Sequence, residues 1–117
     1  MGLRRAGFTQ LVHQWQHRLG LGEWHIVVQC VTLPHRADCD AKPEYKEALL
    51  RFDLKKIPAA DLEAYVVHEL LHCHVWRLAS VGEYLAKTPT EKRAVEEAEE
   101  SLTTDLERLI LGLMRQP

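Results

Sequence analysis

The stretch Ala59–Ala79 contains neither glycine nor proline and repeats apolar residues at helical spacing. Ala64, Val67, Leu71, Val75 and Leu78 are predicted to form its core-facing stripe. A chain of 117 residues must build its core around such a helix. The same stretch carries His68-Glu69-Leu70-Leu71-His72, with the paired leucines fitting a buried helix that holds a metal at its edge. A helix turns about 100° per residue, so side chains four apart stand one above the other on one face. Two imidazoles at that spacing reach one ion from the same side. Glu69, rotated off that face, reaches a water on the ion without binding the ion itself. Zn²⁺ lowers the pKa of a bound water to roughly 7 and polarises a carbonyl, while a carboxylate takes the proton as the water attacks. The pattern predicts His68 and His72 as ligands of one zinc ion and Glu69 as general base.

A third ligand is required, and the chain offers one on a second helix. Thr88-Pro89-Thr90-Glu91 is a capping box with proline at the first helical position. The helix it opens is predicted to run to about Met114, burying Val95, Ala98, Leu102, Leu106, Leu109 and Leu113. Of its clustered carboxylates, Glu99 falls inside that stripe, Glu96 at its margin, and Glu97 and Glu100 outside it. A core-facing carboxylate is costly unless paired, and a metal ion is such a partner. Glu99 is therefore the expected third ligand, with Glu100 and Glu96 as alternatives. Carboxylate-bridged di-iron bundles share the spacing Glu69-x-x-His72 but need a second such motif, and none occurs.

Composition excludes several classes. Hydrophobic content of 46% and charged content of 27% are ordinary for a soluble globular domain, and the length suits one domain spanning 1–117. The net charge of −2 and the lack of a basic stripe argue against a nucleic-acid partner. Cys30, Cys39 and Cys73 form no C-x-x-C pair and leave one over, which suits a reducing cytoplasm. Arg4 and Arg5 precede no apolar export core, Met1-Gly2 lacks the residue a myristoylation signal needs at position 6, and no apolar run spans a membrane. The expected location is cytoplasmic, without a membrane partner.

Phe8, Leu11, Val12, Trp15 and Leu19 predict an amphipathic helix over 7–19 stopped by Gly20, with Gln10, Gln14, Gln16 and His17 on its wetter side. His13 and His17 repeat the four-residue spacing but lack a carboxylate between them, and read as solvated. Trp24–Leu33 is apolar on both faces and predicts an inner strand. Pro34–Tyr45 reads as a loop with room for a short irregular strand, and its His35, Asp38, Cys39 and Asp40 as turn residues. Ala48–Leu54 alternates and predicts a half-buried edge strand, a rail for substrate backbone. His74 and Cys73 point away from the predicted ion.

The motif followed by a glutamate-bearing helix resembles the gluzincin metallopeptidases. The short chain is similar to their single-domain members, the minigluzincins and related phage-type metallopeptidases, from roughly Trp24 to Leu113. The resemblance implies an α+β fold: an N-terminal helix, a small mostly antiparallel sheet, and the active-site helix packed against the glutamate helix. It further implies zinc on His68, His72 and Glu99, hydrolysis of peptide bonds in a peptide or protein substrate, and Glu69 as base and then acid. A cleft beside Phe52, Tyr65 and Trp76 would take the substrate. Larger members carry Asn before the ligand Glu and Asp four residues after it; Ala98 and Thr103 stand there instead. Tyr84 and Arg93 are the candidates for oxyanion stabilisation, and a latent enzyme is compatible with this pattern. Two further classes carry the same motif: a regulatory protease dedicated to one repressor, and a non-catalytic zinc-stabilised binding module.

Overall fold

The computed structural model describes residues 5–114, so the readings at Met1, Gly2 and Arg4 lie outside it. The chain runs α1 (Arg5–Arg18), β1 (His25–Cys30), β2 (Ala37–Lys42), β3 (Glu47–Phe52), α2 (Leu62–Leu85) and α3 (Pro89–Met114). Short 3-10 turns at Pro43–Tyr45 and Ala59–Asp61 join β2 to β3 and lead into α2. The fold is α+β. The three strands lie in the order β1-β3-β2, with β1 parallel and β2 antiparallel to β3. The sheet is therefore mixed, where a mostly antiparallel one was expected.

In α1 the apolar stripe does what its spacing predicts: Phe8, Val12 and Trp15 are buried and Leu11 and Leu19 pack beside them. Gly20 ends the helix at φ +75°, a conformation that costs glycine little. Its N–H donates to the His17 carbonyl and the Leu21 N–H to that of Gln16, so two orphan carbonyls are satisfied while Leu21 enters the core. Gln16, expected on the wet side, is buried. Its Nε2 donates to the carbonyls of Leu21 and Trp24, both at 2.9 Å, and clamps the turn that delivers the chain to β1. His13 Nδ1 donates to Gln16 Oε1 at 2.9 Å, since the amide nitrogen is already committed to the two carbonyls.

Lateral strand order departs from expectation. β3, read as an edge, is the central strand, and β1, read as inner, is an edge. One face of the sheet meets the helices: Ile26, Val28 and Cys30 stand in register with Ala48, Leu50 and Phe52, and these with Ala41, Cys39 and Ala37. Leu50 and Phe52 are fully buried, whereas Val27 and Val31 on the other face are exposed. Alternation in β3 thus reports a sheet covered on one side, not an edge position. β2, drawn from the polar segment, is held across the sheet by Arg51, whose Nε donates to Asp38 at 2.8 Å. Asp38 also pairs with His35 at 2.7 Å. β2 is the strand that packs most closely on α2, and its outer edge is unpaired within the described sheet.

α2 is buried on several sides, with Val66, Val67, Leu70, Leu71, Cys73 and Val75 all in the core. Leu78, assigned to the stripe, is exposed because α2 continues past Ala79 and leaves the sheet behind. Thr88 and Glu91 form the expected capping box: Thr88 Oγ1 accepts from the Glu91 N–H, and Glu91 Oε1 accepts from the Thr88 N–H. Near the α2–α3 turn Gly82 lets the helices close, since a Cβ there would meet Val95 Cγ1 at 3.2 Å. The inward face of α3 matches the predicted one only in part: Val95 lies against Gly82 of α2 and Leu106 packs on the core, as expected. Glu99, Thr103 and Leu111 face α2, while Ala98, Leu102, Leu109 and Leu113 face solvent. No helix among the described residues is long and apolar enough to cross a membrane.

Gln16→Ala removes the side-chain donor to the carbonyls of Leu21 and Trp24, leaving the former only the Trp24 N–H, and should destabilise the protein by about 1–3 kcal/mol. Gln14→Ala, at an exposed position of the same helix, should change stability by less than about 0.5 kcal/mol. Urea unfolding of both variants checks the difference.

Candidate metal centre

His68 and His72 project from the same side of α2 with ring centroids 5.1 Å apart. Their spacing on a regular helix puts them there. Facing them, α3 presents three carboxylates. His68 Nε2 lies 3.2 Å and His72 Nε2 3.1 Å from Glu100, so the two outer nitrogens converge on one carboxylate. The other ring nitrogens face different partners. His72 Nδ1 is 2.8 Å from Glu99 and His68 Nδ1 is 3.1 Å from Glu107. One ligand atom each from His68, His72 and Glu100 lies within 4.8 Å of the others.

Glu99, expected as third ligand, is thus placed behind His72, with a side chain only 10% exposed. It is the buried glutamate that the sequence singled out, but its oxygen holds the ring from the Nδ1 side. Glu96 and Glu97 are exposed. Glu107 was missed, because position 107 lies seven residues beyond Glu100 and outside the glutamate cluster. A carboxylate on the inner ring nitrogen of each histidine fixes its orientation and turns Nε2 toward Glu100. Thr103 is buried and donates to the Glu99 carbonyl at 2.7 Å. The support that Ala98 and Thr103 do not give the imidazoles is therefore given by Glu99 and Glu107.

Glu69 is 6% exposed and borders a cavity of about 400 Å³ beside His68. Burial pushes its pKa up to about 8, and the charges of Glu100, Asp38 and Glu107 add to the shift. His68, His72 and Glu100 bring two nitrogen donors and one carboxylate close enough to hold a metal ion, a donor set of the kind that zinc takes. The donor set fits the ion that the motif implies.

Other candidates fall away from this centre. His74 Nε2 lies 2.7 Å from the Leu19 carbonyl and ties α2 to α1. Cys73 is buried. The Cys39 thiol is pushed far up by its hydrogen bond to Cys73 and by burial, so it behaves as a core thiol. His13 and His17 are exposed on α1. Tyr84 is 88% exposed and neither it nor Arg93 borders the cavity. Phe52 is fully buried against the edge of Phe8 and is closed to substrate, whereas Tyr65 does line the cavity. Its other walls are Asp61, Ala64, His68, Glu69, Thr104, Glu107 and Arg108, a more polar lining than the sequence suggested. Compared with protein-family models, curated proteins and solved structures, the chain matches none.

The raised pKa of Glu69 gives the metal-free protein a pH signature. The folded state holds this proton more tightly than the unfolded chain does, so its stabilising contribution is complete below the ordinary carboxylate value. It is lost as pH rises toward about 8. Glu69→Gln, neutral throughout, should raise the Tm of chelator-treated protein by about 5 °C or more near pH 8 and much less near pH 5. Equal shifts at both pH values would contradict the assignment.

Proposed function

We propose that the protein is a zinc-dependent peptidase of minimal, gluzincin-like design, with the ion held by His68, His72 and Glu100. The convergence of both Nε2 atoms on Glu100 supports this reading, under which Glu99 and Glu107 act as positioning residues behind the rings. A bound zinc ion would supply Lewis-acid polarisation of the substrate carbonyl and acidify a water.

The chain's own residues do the remaining work. Glu69 stands one position from the first ligand, and among the described residues no group hydrogen-bonds its carboxyl. It is free to take a proton from water and return it to the leaving amine. A divalent charge held by His68, His72 and Glu100 would lower its pKa from the metal-free value and so favour its role as base. The unpaired edge of β2, close against α2, takes the substrate-docking role expected of β3.

Dialysed protein should take up one zinc ion, measured by elemental analysis. Glu100→Gln should weaken binding most, while Glu99→Gln and Glu107→Gln should each cost on the order of 10–100-fold in affinity. Zinc-loaded wild type should cleave unfolded casein or short peptides. Glu69→Gln should lose turnover by at least about 10²-fold with its metal retained. Zinc uptake unaffected by Glu100→Gln would remove the proposed ligand set. Zinc uptake without turnover of any peptide would leave the binding-module reading.

A further inference from the structure

We infer that the cavity beside Glu69 binds the free C-terminal carboxylate of a peptide through Arg108, so that the site trims chain ends. The inference rests on the peptidase reading and narrows its substrate class. Arg108 follows Thr104 by four residues on α3, and both line the cavity with Tyr65 and Glu69. Among the described residues Arg108 makes no ion pair or hydrogen bond.

Two of the neighbouring charged groups, Arg36 and Glu107, are already committed. Arg36 Nη1 donates to Tyr65 Oη at 2.8 Å and stands in the field of Asp61. Glu107 is engaged by His68. Because the Tyr65 oxygen already accepts from Arg36, the phenol keeps its own proton to donate. A guanidinium fork binds a carboxylate through two parallel hydrogen bonds, and the hydroxyls of Tyr65 and Thr104 are further donors on the same wall.

Size points the same way. About 400 Å³ is near the lower end of small-ligand sites and holds roughly one or two amino-acid residues, not an extended segment. Ala64 contributes little bulk to its wall. With the terminal carboxylate on Arg108, the adjoining peptide carbonyl would face the motif. Water adds to that carbonyl and the C–N bond breaks. The proton taken by Glu69 goes to the departing amine, releasing a C-terminal residue or dipeptide.

The test uses zinc-loaded full-length protein and two fluorophore-labelled, alanine-rich peptides that differ in ending as a free acid or an amide. The acid should be cleaved with kcat/KM about 10–100-fold higher, the effect of one charge-assisted contact. Arg108→Met should bring that ratio close to one, mainly through KM, and Arg108→Lys should keep part of it. Zinc-loaded Glu69→Gln gives a readout without turnover: it should bind the acid more tightly than the amide, and the added Arg108→Met substitution should erase the difference. Equal binding of acid and amide overturns the inference. Cleavage of both peptides at equal rates does so too, while leaving the peptidase reading intact. Acid-selective binding with no cleavage of any peptide supports the anchor and removes the peptidase reading instead. A third peptide, amidated but ending in glutamate, should behave as an amide; if it matches the free acid, an acidic side chain is what Arg108 holds and the inference fails.

Discussion

The pairing of two imidazoles on α2 with three glutamates on α3 decides how the helical half of this molecule is assembled. Apolar residues on α3 would have turned Leu102, Leu109 and Leu113 inward. The polar match instead sets the helix so that Glu99 and Glu107 reach His72 and His68; Leu106, Ile110 and Leu111 still pack inward, while those three leucines remain at the surface. Hydrophobic burial is non-directional and roughly proportional to area, whereas a carboxylate and an imidazole must meet at set atoms. Directionality wins where the two disagree.

That outcome explains which parts of the structure were legible in the sequence. α1, the motif helix and the capping box at Thr88 were readable because each depends on local spacing or on a cap within one turn. The two histidines and Glu69 were readable for the same reason. Rotation of α3 was not, since it depends on partners some thirty residues away along the chain. Lateral strand order was hidden too. Period-two alternation in Ala48–Phe52 tells which face is covered and says nothing of which strand lies beside it. Gln16 is a smaller case of the same limit: its polarity suggested solvent, but the carbonyls of Leu21 and Trp24 drew it inside.

The centre is assembled with more negative charge than its own imidazoles can offset. Burial of Glu69 together with the fields of Glu100, Asp38 and Glu107 raises the cost of ionising that carboxyl. Such a cluster is expensive in a protein that does nothing with it, and a divalent ion relieves it. Crowding of acids thus sets the proton affinity of Glu69, and under the proposed function it would also favour a cation. Of the cationic groups nearby, Arg51 serves Asp38 across the sheet and Arg36 rests on the ring of Tyr65, while Arg108 lines the cavity beside Glu69 and Glu107.

The division of donors between two helices has a mechanical consequence. His68 and His72 belong to a helix anchored in the core on several sides, whereas Glu100 comes from a helix whose main packing is against α2 alone. An ion gripping all three would act as a rivet between the rigid and the looser halves of the molecule. Its binding energy would then hold the terminal helix down as well as fill the site, so local opening of that helix and escape of the ion become a single event.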